Sequence, residues 1–174
     1  SRQVSFAAIG SMGMLFLAVA AGTPAATSAA LYYLLHSTLA TAALFLIADL
    51  VAARRGGPGA QSGLIAALFM AGAVAMAGMP PLSGFVGKLL VMDALRLQAV
   101  WAWSAILLAS LATMIGFARM GSALFWSPQE ADPALPIPQD RGGIAAVLLC
   151  LAALVALTVF AGPITAWLTL AAEN

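Results

Sequence analysis

A chain of 174 residues that is 63% hydrophobic and 7% charged, with a mean hydropathy of +1.04, stands far from the roughly 25% charged composition of soluble domains and is read as an all-α integral membrane protein. Its net charge of +1 comes from seven Lys and Arg against six Asp and Glu; scattered along the chain, they form no basic face that could track phosphates, which excludes nucleic-acid binding. The single cysteine, Cys150, lies in an apolar run and leaves no intrachain disulfide and no metal or redox constellation, so neither metal nor cofactor is expected.

At 1.5 Å per residue, about 20 apolar residues cross a hydrocarbon core of roughly 30 Å. The length allows a bundle of about five transmembrane helices in one membrane domain over residues 1–174. The first span runs from about Val4 to Ala21 and stops at Gly22-Thr23-Pro24. The second covers about Ala25 to Ala52, with Tyr32, Tyr33, His36, Ser37, Thr38 and Thr41 as its polar content, and ends before Arg54-Arg55-Gly56-Gly57-Pro58-Gly59. The third, about Leu64 to Leu95, is too long for one straight crossing and carries Gly78 and Pro80-Pro81 near its middle. Two prolines remove backbone donors and clash with the preceding turn, so the helix breaks there. In a membrane, carbonyls freed in this way are tolerated only where protein or a water-filled cavity satisfies them.

The fourth span, about Val100 to Trp126, has Trp101, Trp103 and Trp126 near its ends as interfacial anchors. A polar loop follows from Ser127-Pro128 to Arg141, and the fifth span takes Gly143 to about Ala161, with Pro163 kinking a continuation to Leu170. No internal repeat divides the chain. It opens on Ser1-Arg2-Gln3 with no initiator methionine and is read as part of something longer. With five crossings, Arg2, Arg54, Arg55 and Arg141 fall on one side and Arg96 on the other; the richer side is cytoplasmic and the carboxy terminus outside.

Two polar positions inside the spans carry the functional reading. Lys88 combines two oddities, a charge at membrane depth and a helix break beside it. Such a group costs roughly 2.5–3.5 kcal/mol on insertion scales and usually marks an ion or proton path. Snorkelling of its four-carbon stem is the alternative, and the coincidence of the two features favours a narrow cavity, where a neighbouring charge loads or unloads the amine. His36 lies mid-span, with Ser37 and Thr41 four apart on one face. Imidazole both gives and takes protons and suits a relay, while a hydrogen bond across a helix interface suits its position equally well. Asp93 and Arg96, three apart, pair structurally; Asp49 is interfacial, and Arg119 either snorkels or pairs within the bundle.

The stretch Pro80-Pro81-Leu82-Ser83-Gly84-Phe85-Val86-Gly87-Lys88 resembles the broken-helix signature of antiporter-like subunits. These are shared by the multisubunit (Mrp-type) cation/proton antiporters and the proton-pumping membrane arm of NADH:quinone oxidoreductase. Leu31 to Leu46 resembles the family's preceding helix, and Ser5 to Gly13 the one before it; within the family the resemblance is nearest to the D subunits of the Mrp antiporters. The resemblance implies a prokaryotic plasma-membrane, multi-pass subunit of two inverted repeats, of which this chain matches the carboxy-terminal helices. Its activity would be proton translocation coupled to Na+ or K+ exchange, with the other antiporter subunits, protons, Na+ or K+ and the lipid bilayer as partners and with no nucleic acid. Lys88 would be the buried lysine of the second half-channel and His36 a member of the midplane polar axis, with Gly78, Pro80, Pro81 and Gly84 forming the break. Many relatives carry a lysine where Thr41 stands, so a relay there would pass through His36, Ser37, Thr41 or water. The first half-channel would lie before Ser1, and without it no transport is expected. A proton-pumping subunit of an NADH:quinone oxidoreductase-type complex is the alternative, and a purely structural bundle a third reading.

Overall fold

The structure, a computed structural model, describes residues 2–53, 63–125 and 140–173. Its helices follow in the order α1 (Arg2–Ala20), α2 (Pro24–Ala52), α3 (Gly63–Ala77), α4 (Ser83–Ala94), a 3-10 turn (Arg96–Gln98), α5 (Ala99–Phe125), α6 (Arg141–Val159) and α7 (Ala161–Glu173). Among the described residues α1, α2, α5 and α6 are each long and apolar enough to cross a membrane. Helices α3, of 15 residues, and α4, of 12, fall short of the roughly 20 needed. In tandem they take the place of the third crossing, broken as the Pro80-Pro81 pair predicts.

Local sequence explains three of the helix boundaries. Thr23 caps α2, its hydroxyl accepting from the Ala26 amide at 3.2 Å, and Pro24 follows at the first helical position, where its missing N–H is no loss. Asp140 caps α6 in the same way, accepting from the Gly143 amide at 2.9 Å. Helix α3 ends in a Schellman arrangement: the Met79 amide reaches the Val74 carbonyl at 3.2 Å and the Gly78 amide the Ala75 carbonyl at 3.1 Å. Gly78 adopts φ +73°, the left-handed conformation this motif requires.

One expectation is corrected. The helix after Gly143 does not continue through a kink at Pro163; it stops at Val159, and α7 starts afresh at Ala161. Pro163 lies in the first turn of α7, where it is tolerated, and its ring would have clashed with the carbonyl four residues back, at Val159. The Trp103 indole N–H donates to the Met92 carbonyl at 2.7 Å, tying α5 to α4. Trp101 is exposed; Trp126, Arg54, Arg55 and the loop prolines lie outside the described residues.

Helix α2 is central, packing against α1, α3, α4, α6 and α7, while α5 closes over α1, α3 and α4. Without water between helices to drive association, close approach and interdigitation hold such bundles, and small residues make the approach possible. A methyl group on Gly87 would stand 2.9 Å from the Tyr33 ring, and one on Gly72 would stand 3.0 Å from Leu44. These glycines bring α4 and α3 onto α2. The outer faces, with Phe6 and Phe16 on α1 and Leu107 and Leu108 on α5, are apolar and exposed, as suits lipid or neighbouring membrane helices.

Candidate functional site

The break between α3 and α4 places two helix ends inside the bundle, and a side chain from the sequence-predicted set meets each. At the carboxy end of α3, the Lys88 amino group donates to the Ala77 carbonyl at 2.6 Å. Helix ends leave their last carbonyls without intrahelical partners. The amides of Gly78 and Met79 serve two of these in α3, and Lys88 serves a third. The same amino group donates to the Ser110 hydroxyl of α5 at 2.8 Å, and that hydroxyl in turn donates a hydrogen bond to the Ile106 carbonyl at 2.8 Å. Lys88 is 9% exposed. In its charged form it faces the negative end of the α3 dipole, a favourable orientation.

Gly78 makes that geometry possible. A Cβ there would fall 2.8 Å from both Cε and Nζ of Lys88, so the lysine stem occupies the space that a side chain would need. Beyond Lys88 lies a cavity of about 290 Å³ between α1 and α5, with Ser11, Tyr33, Ser110 and Thr113 as its other polar lining. At about 30 Å³ per molecule it has room for several waters. The Tyr33 hydroxyl pairs with that of Ser11 at 3.2 Å across the inner wall. The lysine nitrogen has three protons to donate, of which two are placed, so one remains for the cavity.

At the amino end of α4, Ser83 meets His36. The Ser83 hydroxyl lies 2.9 Å from His36 Nδ1, and both residues are fully buried. His36 Nε2 is the buried side-chain polar atom without a hydrogen-bond partner among the described residues. It points at Gly84, where a Cβ would stand 2.7 Å away and would also collide with the Ala75 carbonyl. The Tyr33 ring lies beside the imidazole, with centroids 5.7 Å apart.

The two principal candidates thus sit at opposite lips of one break, joined through the backbone of residues 77–83 rather than by a shared hydrogen bond. Gly78, Pro80 and Pro81 form the break, and Gly84 is the close-packing point against His36. Ser37 is buried and Thr41 half-buried on α2; among the described residues neither hydrogen-bonds to His36 or Lys88. Arg119 is exposed on the outside of α5, and Asp49 is exposed near the end of α2. Arg96 pairs with Asp93 as its spacing predicts, on the surface, where such pairs contribute about 0–1 kcal/mol. Sequence reasoning missed Ser110 and passed over Ser83 and Tyr33 as partners. The available signal was the few hydroxyls in otherwise apolar spans.

Comparison with known proteins gives a consistent picture. Residues 1–117 match the family described as NADH:quinone oxidoreductase/Mrp antiporter, TM. The chain is 31% identical to the D subunit of the Na(+)/H(+) antiporter of Bacillus subtilis, over 76% of this chain and 29% of that protein. It is also 31% identical to the N subunit of the NADH-quinone oxidoreductase of Cereibacter sphaeroides, over 87% of this chain and 36% of that protein. A solved chain of the Mrp complex from Dietzia sp. DQ12-45-1b shares the fold with a TM-score of 0.76 at 24% identity, covering 94% of this chain and 40% of that one. The chain thus spans about a third of the length of the relatives it matches. It is a multi-pass membrane protein belonging to the NADH:quinone oxidoreductase/Mrp antiporter transmembrane family.

Proposed function

We propose that this chain takes part in proton translocation coupled to the exchange of Na+ or K+, as part of one subunit in a hetero-oligomeric antiporter complex. Lys88 is the proton-carrying group and His36 a second station at the other lip of the break. The observation that carries the reading is Lys88 itself: an amine buried at membrane depth, held by a helix-end carbonyl and a serine hydroxyl, beside a cavity with room for water. A buried amine exchanges a proton only where water or a hydroxyl reaches it; this one meets the Ser110 hydroxyl and borders a cavity large enough for water. Ser37 and Thr41 are supporting polar positions on α2. No bond is made or broken on the chain in this reading.

The similarity to the antiporter protein of Bacillus subtilis supports cation coupling. The similarity to the NADH-quinone oxidoreductase protein of Cereibacter sphaeroides supports a second reading, a proton-pumping subunit whose driving redox chemistry lies in other chains. Gene neighbours separate them: small antiporter subunits support the first, quinone-reducing and iron–sulfur subunits the second. The location is the plasma membrane of a bacterium with the carboxy terminus outside, supported by Arg2 and Arg141 opening α1 and α6 while Arg96 follows α4.

The test is Lys88→Ala in the complete complex, with cation-driven proton flux measured in vesicles. Loss of flux at normal expression is expected, and undiminished flux refutes the role. Lys88→Cys with a membrane-impermeant thiol reagent adds a check on the cavity. Labelling supports a wet path, and an inert thiol supports a purely structural bundle.

A further inference from the structure

A second cavity borders the break, and the proton path does not use it. Between α3 and α5 lies a groove of about 360 Å³, toward the lower end of the roughly 300–1,000 Å³ of small-molecule sites. Phe69 and Ala73 of α3 face Phe117 and Gly121 of α5 across it, and among the described residues Ser122 supplies its only polar side chain. Water needs two or more polar partners to be held, so this groove suits an apolar occupant. Its walls also have a telling length. Ala66 to Ala77 on α3 and Met114 to Phe125 on α5 each cover about 16 Å at 1.5 Å per residue. That is the depth of one leaflet, half of a hydrocarbon core of roughly 30 Å. The inner end stops at Met79, beside the break. The groove therefore runs from one membrane face to the middle, as an acyl chain does.

Charge at the rim selects the headgroup. Arg119 follows Ala118 and precedes Ser122 by one turn, and both of those residues line the groove. It is exposed, and no hydrogen bond or ion pair joins it to another described residue. Helix α5, with 27 residues, is about 40 Å long and overhangs the roughly 30 Å core at its ends. Arg119 lies about 9 Å from its last residue, within one turn of the interface, and its stem brings the guanidinium to phosphate level. A guanidinium matches two phosphate oxygens in one plane. A lipid with a net negative charge is favoured over a zwitterion, whose own cation offsets its phosphate.

We propose that the groove between α3 and α5 binds one anionic phospholipid of the leaflet at which α3 begins and α5 ends, with an acyl chain along the groove and the phosphate on Arg119. In the orientation proposed above this is the cytoplasmic leaflet; the site itself does not depend on the proton-path reading. Ala77 connects the two, because it lines the groove and its carbonyl accepts from Lys88. An occupied groove thus buttresses the helix end on which the lysine is anchored.

The experiment uses the complete complex in phosphatidylcholine nanodiscs with a small fraction of phosphatidylglycerol carrying a diazirine near the end of one acyl chain. After illumination, labelled peptides are located by mass spectrometry. Labelling is expected at Met79 and Met114, competed by unlabelled phosphatidylglycerol and not by further phosphatidylcholine. Arg119→Gln should lower it about fivefold, the equivalent of one basic residue at an anionic lipid surface, and Arg119→Lys should retain most of it. Ala118→Trp, which fills the groove from its exposed lip, should abolish it. Equal labelling by phosphatidylcholine with the same diazirine, or unchanged labelling in Arg119→Gln, overturns the proposal. So does a cross-link from Ser122→Cys to a neighbouring subunit, which would place protein in the groove instead of lipid. If Arg119→Gln fails to accumulate, the headgroup preference of the wild type and the Ala118→Trp result decide. Labelling is read without transport, so its outcome is separate from the flux test of Lys88.

Discussion

Gly78→Ala isolates the interaction between Lys88 and the end of α3. Two penalties combine at this position. The first is conformational: φ is +73° at Gly78, and holding an L-residue there costs roughly 1–2 kcal/mol. The second is displacement, because the new methyl would lie 2.8 Å from Cε and Nζ of Lys88 and the flexible stem must withdraw. Withdrawal breaks the 2.6 Å contact with the Ala77 carbonyl, and a hydrogen bond to a charged group contributes about 1.5–3 kcal/mol. Gly22 supplies the control. It has φ +63° with nothing within 4 Å of a Cβ, so Gly22→Ala incurs the conformational penalty alone. Unfolding by SDS titration in mixed micelles should therefore show a loss of roughly 1–2 kcal/mol for Gly22→Ala and about 2.5–5 kcal/mol for Gly78→Ala. In a Lys88→Met background the Gly78→Ala penalty should fall to that of Gly22→Ala, as a double-mutant cycle requires when one interaction carries the excess. Equal losses for the two glycines in the unmodified background would refute the assignment of Lys88 as a partner of the helix end.

Further outcomes follow from other contacts. Gly84→Ala drives a methyl against the Ala75 carbonyl, which belongs to the backbone and cannot swing aside, so a loss of about 1–3 kcal/mol or more is expected in the same titration. Gly13→Ala meets nothing within 4 Å on α1 and should be neutral or stabilising by up to about 1 kcal/mol through helix propensity; the opposite ranking would show that α4 does not pack as described. Tyr32→Phe removes the donor to the Leu157 carbonyl, a 3.0 Å contact, and should cost about 0.5–1.5 kcal/mol. Amide exchange should quicken at the α6–α7 junction, and unchanged exchange there would refute a bracing role for that hydroxyl.

The helix break and the surface pair of Asp93 with Arg96 were legible because each rests on neighbours in sequence: adjacent prolines, and a spacing of three. The partners of the buried groups were not. Ser110 is 22 positions from Lys88 and Ser83 is 47 from His36, and each hydroxyl looks ordinary where it stands. In an apolar helix most hydroxyls return to the carbonyl four residues back, as Ser104, Ser110 and Thr113 all do on α5. Nothing in the local pattern marks which of them also accepts from outside. The misplaced end of α6 has a simpler cause. A proline disrupts the turn before itself, so the helix fails at Val159 and Phe160 while the residue responsible lies further on, inside α7.

The consecutive tyrosines of α2 have a mechanical consequence. Successive residues on a helix point about 100° apart, and Tyr32 ties to α6 through Leu157 while Tyr33 ties to α1 through Ser11. Two tethers at different azimuths resist torsion as one cannot, because turning α2 in either direction pulls at least one of them off its partner. His36 lies one turn further along the same rod. Its angular setting is therefore held by two tethers that do not involve Ser83, and the α3–α4 break packs against a face of α2 that is fixed in azimuth.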